Sequence, residues 1–150
     1  MRKYNLNTIF FTQSIGLKVF YELSLIMREK HSLENTGFYV TDSLAFDNFK
    51  ERVPAIESPN FKLLKEWETI RDADSIKLDL ELLNKYESRI GDPFLWNAIL
   101  ADRRIYLGKS YAYNQNYSPR YDHEKMLRIL QLAITRIDDF IGEINPDLII

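Results

Sequence analysis

The residues of this chain that could do chemistry gather at the ends of its short apolar runs. Gln13, Ser14 and Gly16 follow the run Thr8-Ile-Phe-Phe-Thr12 and precede a helical period. Backbone amides at such a strand-to-helix turn can hold an anion, and Gln13 and Ser14 add groups able to bind a substrate hydroxyl. A dinucleotide pyrophosphate wants G-x-G-x-x-G at this place, because close backbone approach needs several positions free of side chains. Gly16 alone meets that pattern, so no nicotinamide or flavin cofactor is expected. The plainer roles are Ser14 as a helix cap and Gly16 as relief for the turn. Asp42 follows the second run, Gly37-Phe-Tyr-Val-Thr41, and is the best-placed candidate for a catalytic base. A turn role suits an aspartate there as well. Glu66, Glu68, Asp92 and Asp102 also lie near loop ends. Asp92 precedes Pro93 and reads as an N-cap.

Asp102-Arg103-Arg104 offers recognition of a phosphate or carboxylate through planar guanidinium groups. Adjacent arginines point to different sides of a helix, so an inward Arg103 would need a partner such as Asp102. Five tyrosines (Tyr106, Tyr111, Tyr113, Tyr117 and Tyr121) are interleaved with Asn114, Gln115 and Asn116. Tyr111 and Tyr113 are the candidates for stacking on a sugar ring, and the same segment, 106–121, would also suit a protein contact. Gly108-Lys109-Ser110 has the tail of a phosphate-binding loop, but Arg103 stands where that loop needs its first glycine. His31 and His123 have no ligand set or nucleophile beside them in sequence and read as surface positions. Asp72-Ala-Asp74 has the letters of a metal motif but precedes a helix. No metal site is expected.

Short apolar runs that alternate with helical periods must position these residues. Thr8–Thr12 lacks polar alternation, as a strand covered on both faces does. A helix is expected from Leu17 to about Lys30, with Val19, Phe20, Leu23, Ile26 and Met27 inward. Gly37–Thr41 reads as a second strand, Ser43 to about Arg52 as a short helix stopped by Pro54, and Phe61–Lys65 as a third strand. Leu78, Leu82, Leu83, Tyr86 and Ile90 mark a helix ending at Gly91. Asp92-Pro93 and Ser118-Pro119 are start signals for two more. The last of these carries Leu127, Leu130, Ile134, Ile137, Ile141 and Ile144 at steps of three and four, and Asn145-Pro-Asp147 breaks it. Leu148-Ile-Ile150 then opens another apolar run. This succession predicts an α/β, Rossmann-like fold: a parallel sheet of about four strands in the order 3-2-1-4, with helices on both faces. Ligands of such sheets sit at the carboxyl ends of the strands, here the turns at 13–16, 42–43 and 66–68.

The composition narrows the function classes. The chain has 150 residues, room for one domain, and because a new apolar run opens at residue 148 the chain is expected to be the front part of a longer two-domain protein, a short final edge strand at a genuine terminus being the alternative. Zero cysteines exclude thiolate metal sites and cysteine nucleophiles. Twenty basic against 22 acidic residues give a formal charge of −2, which disfavours a nucleic-acid partner. No stretch approaches the roughly 18 apolar residues of a membrane span. The expected location is cytoplasmic, with peripheral attachment to the inner membrane left open.

Asp92-Pro-Phe-Leu-Trp96, Ile99, Asp102-Arg-Arg104 and the long helix leading to Asn145-Pro-Asp-Leu-Ile-Ile150 resemble bacterial surface or capsule polysaccharide biosynthesis proteins. That group is similar to two-domain GT-B glycosyltransferases, and this chain would correspond to the first half. The resemblance implies a sugar or glycan acceptor as partner. The nucleotide-sugar donor would be held mostly by a second half, no metal or other cofactor would be required, and the half alone would be inactive. On that reading Asp42 assists an acceptor hydroxyl oriented by Gln13 and Ser14. A non-catalytic interaction module built on 106–121, or another small-molecule enzyme on the same scaffold, are the competing expectations.

Overall fold

The computed structural model describes residues 5–13, 16–91, 95, 97 and 120–150. The chain divides into two compact units, Met1–Glu68 with Arg136–Ile150, and Thr69–Thr135. The first contains the whole sheet. Its elements are β1 (Asn5–Thr12), α1 (Gly16–Lys30), β2 (Ser32–Val40), α2 (Ser43–Arg52), β3 (Lys62–Lys65) and β4 (Leu148–Ile149). Helix α3 (Glu66–Asp72) follows β3 directly, α4 (Leu80–Ile90) lies in the second unit, and α5 (His123–Ile144) runs from the second unit back into the first.

The four strands are all parallel and stand in the order β3-β2-β1-β4, as the alternation of runs and helices predicts. The register pairs Phe10 with Phe38, Thr12 with Val40, and Val40 with Lys65. β4 joins through Thr8 opposite Leu148 and Ile9 opposite Ile149. Its entry is fastened at Asp147: the Asn7 backbone N donates to Asp147 Oδ2 at 2.9 Å, and Asp147 N donates to Asn7 O at 2.8 Å. Asn145, with φ 47°, takes the left-handed conformation that ends α5.

Side-chain alternation along the strands makes two cores. Phe10, Phe38 and Val40 face α1 and α2, where they join Leu17, Tyr21, Phe46, Ile56 and Phe61. The other face buries Ile9 against Phe140 and Ile144 of α5, with Tyr39 and Leu64 beside them. Gly37 belongs to this second face. A Cβ there would lie 2.2 Å from Ile144 Cδ1 and 2.6 Å from Phe140 Cζ, so the close approach of α5 depends on glycine.

In α1 and α5 the most deeply buried stripe is offset from the expected apolar row, which still supplies part of the packing. In α1 the buried residues are Leu17, Tyr21 and Ser24; Phe20, Leu23 and Met27 are half-buried, while Val19 and Ile26 are exposed. Tyrosine and serine complete the inward stripe because Tyr21 packs edge-on to Phe49, and Ser24 Oγ donates to Tyr21 O at 2.6 Å. In α5 the deeply buried stripe is Met126, Ile129, Phe140 and Ile144, so only Ile144 is shared with the expected row. That helix begins at His123, capped by Asp122, whose carboxylate accepts from Lys125 N at 2.7 Å.

In the second unit, α4 carries a cap at each end. Asp79 Oδ1 accepts from Leu82 N at 2.9 Å, and Gly91 at φ 83° supplies the left-handed stop expected of a glycine there. Gln131 links distant backbone within the same unit, accepting from Asp79 N at 2.7 Å and donating to Lys77 O at 3.2 Å. Asp74, of the Asp72-Ala-Asp74 letters, is hydrogen-bonded by Lys125 with Arg128 3.6 Å away. That hydrogen bond, with the charges of both bases, holds its carboxyl below the ordinary carboxylate value.

Candidate functional site

The carboxyl edge of the sheet assembles from the ends of neighbouring strands. Thr12 and Val40 are paired, and Thr41 then crosses back: its N donates to Thr12 O at 3.4 Å and its Oγ1 to the same oxygen at 3.3 Å. Thr12 Oγ1 donates to Tyr39 O at 3.0 Å. These bonds clamp the two strand ends together, so Gln13 and Asp42, each the next residue along, leave the sheet side by side. Gln13 is exposed, and its carbonyl accepts from Gly16 N at 2.7 Å to make the turn into α1. A Cβ on Gly16 would meet the Phe20 ring at 3.3 Å, a tight fit beneath the stack of Phe20 on Phe10.

Asp42 is half-buried in extended conformation, and its Oδ1 accepts from Ala45 N at 3.0 Å. It is therefore the N-cap of α2, a turn role. One carboxylate oxygen is committed to the backbone while Oδ2 has lone pairs for a second partner. Cap and base make opposite demands on substitution. Asparagine caps as well as aspartate but cannot take a proton. We therefore expect Asp42→Ala to cost about 1 kcal/mol of stability, with Asp42→Asn within a few tenths of wild type, in urea unfolding curves.

The third strand end differs from the expected loop. Glu66–Glu68 is the first turn of α3, where carboxylates complement the helix dipole. Glu66 Oε1 accepts from the Tyr39 hydroxyl at 3.3 Å, which brings a carboxylate and a phenol together at the same edge. Next to them Phe11, 43% exposed, lies 5.1 Å from the Tyr39 ring. Period-two alternation along β1 and β2 puts Phe11 and Tyr39 on one face, so this pair was readable in principle. The apolar appearance of the run concealed that one of its phenylalanines is exposed. Lys65 closes the edge on the opposite face, 3.1 Å from Glu57 and 4.6 Å above the Phe46 ring. Nothing local in sequence marks that arrangement, because Glu57 arrives from the turn after α2.

Ser14, Arg103, Arg104, Tyr111 and Tyr113 lie outside the described residues, as do Asp92, Asp102, Gly108-Lys109-Ser110 and the rest of the 106–119 segment. Of the sequence candidates, Gln13, Gly16, Asp42, Glu66 and Glu68 are thus the ones described at the carboxyl edge. His31 follows α1, its N donating to Met27 O at 2.7 Å, and His123 opens α5. No three His, Asp or Glu among the described residues are grouped to hold a metal ion. No helix among them is long and apolar enough to cross a membrane. The chain matches no protein-family model, no curated protein and no solved structure.

Proposed function

We propose that this chain is the acceptor-side domain of a glycosyltransferase-like protein of surface polysaccharide synthesis. The observation that carries the reading is the clamped carboxyl edge, where Gln13 and Asp42 emerge together from adjacent parallel strands. In open parallel sheets this edge is where ligands bind. Its equipment suits a sugar: an amide at Gln13, a carboxylate at Asp42, and the Tyr39–Glu66 pair beside the exposed Phe11 ring. Sugars are held by such mixtures of planar hydrogen-bonding groups and an aromatic face. Asp42 Oδ2 then accepts the hydrogen of the acceptor hydroxyl while Gln13 orients it. Donor binding is assigned to a second half of the GT-B type, so the domain by itself transfers nothing.

The test is a titration of the isotopically labelled chain with oligosaccharides, read by amide chemical shifts. Saccharide is expected to shift Gln13, Gly16, Asp42 and Ser43 first. A nucleotide sugar added alone should leave these amides unmoved. Asp42→Asn keeps the fold and is expected to lower transfer by a full enzyme about 10²-fold or more, as loss of a general base does. Absence of any saccharide shift at this edge, or full transfer by Asp42→Asn, removes the reading.

A further inference from the structure

Helices α1 and α2 lie on the same face of the sheet, and between them runs a hollow of about 530 Å³. Its floor is apolar. Ala45, Phe49 and the cap residue Val53 recur at intervals of four, so they form one stripe of α2 turned towards Leu17 of α1. Phe49 and Val53 are half-buried, and the buried Tyr21 ring packs against Phe49 at 5.5 Å and fixes it. Apolar surface is therefore open to the hollow, whose volume lies in the range usual for small-molecule sites. Ala45 contributes a single methyl group, which leaves the space between the helices free.

The two walls differ in charge. On α1, Lys18 and Glu22 stand four residues apart on one side of the helix and offset each other. On α2, Asn48 and Arg52 are likewise four apart, an amide beside a guanidinium, and no carboxylate lines that wall. All four side chains are exposed, and none has a hydrogen bond or ion pair among the described residues. Lys50 and Lys65 nearby are different, since Glu57 engages both. The unbalanced charge of the hollow is thus the Arg52 guanidinium, a group suited to planar contact with a carboxylate. We infer that this hollow is a second site, for a small amphipathic acid. The apolar body lies along Phe49 and Val53, over a floor about 12 Å long at helical rise. Its carboxylate meets the Arg52 guanidinium, with the Asn48 amide donating beside it. A neutral apolar molecule would leave the guanidinium unused, and a bare oxyanion would leave the floor wet. Burial of the body supplies affinity, and the charged head fixes orientation. The site is independent of the carboxyl-edge reading.

The test titrates octanoate (below its micelle concentration), 1-octanol and acetate into the isotopically labelled full chain, read by amide chemical shifts. Octanoate is expected to shift the amides of Ala45, Phe49, Arg52 and Val53 to saturation. Octanol has the body without the charge and should bind about tenfold more weakly, the value of one charge-assisted hydrogen bond. Acetate has the head alone and should leave these amides still. Arg52→Gln changes an exposed side chain at the end of α2 and should melt near wild type. It is expected to weaken octanoate about tenfold and to leave octanol unchanged. Ala45→Leu fills the hollow and should abolish binding of both. Should that variant unfold, the Arg52→Gln comparison still decides. The site is overturned by the absence of a saturable octanoate shift, by equal affinities for octanoate and octanol, or by an Arg52→Gln protein that binds octanoate as wild type does. Movement of the same amides with protein concentration, in the absence of any ligand, would mean that a second copy fills the hollow and also overturns it.

Discussion

Phe38→Ala is expected to lower unfolding stability by about 3–5 kcal/mol, the usual cost of emptying a buried phenylalanine site. Phe38 is fully buried at the middle of the sheet, with its ring 5.2 Å from Phe10 and 5.5 Å from Phe61. Its neighbours have little freedom to collapse into the space. Phe10 is pinned between Phe38 and Phe20, and Phe61 lies under the Arg28 guanidinium. Phe11→Ala makes the control. Phe11 is in the neighbouring strand but 43% exposed, so its removal should cost well under half as much. Urea midpoints at unchanged slope would measure both. Equal losses for the two would mean that strand propensity, and not burial on the α1 side, is what these phenylalanines supply.

Gly37→Ala, one residue away, tests the other face and has a sign to decide. Backbone entropy alone favours alanine over a strand-interior glycine by about 0.5–1 kcal/mol. The new methyl, however, would stand 2.2 Å from Ile144 Cδ1 and 2.6 Å from Phe140 Cζ, both far inside contact distance. Ile144 is fully buried and Phe140 is 7% exposed, so neither end can swing into solvent. Overpacking of this kind costs about 1–3 kcal/mol, which outweighs the entropic gain. A net loss of stability is therefore expected. Adding Ile144→Val, which removes the nearer atom, should return part of it as a favourable coupling in the double-mutant cycle. A Gly37→Ala protein more stable than wild type would show that α5 does not press on β2 as closely as described.

Helix phase marks the boundary of what local pattern can say. Of the five apolar residues expected inward in α1, Phe20, Leu23 and Met27 pack against the core, but Val19 and Ile26 are exposed while Tyr21 and Ser24 are buried. An apolar stripe reports preference for a dry environment. Which stripe actually meets the sheet depends on the partners offered, here Phe49 for Tyr21 and a backbone carbonyl for Ser24. The same holds for α5, whose buried row shares Ile144 alone with the row of leucines and isoleucines.

Strand and helix identity, the caps at Asp42 and Gly91, the break at Asn145 and the parallel order of the sheet were determined by local sequence. They follow from nearest-neighbour sterics, from hydrogen bonds spanning three or four residues, and from the handedness of short crossovers. The same alternation put Gln13 and Asp42 at one edge. Only the tertiary structure decided that Tyr39 meets Glu66 and that Gly37 must be bare for α5 to approach. Those facts join residues 27 to 107 positions apart. No local pattern records such meetings, because they exist only once the strands have been ordered and the helices laid on both faces.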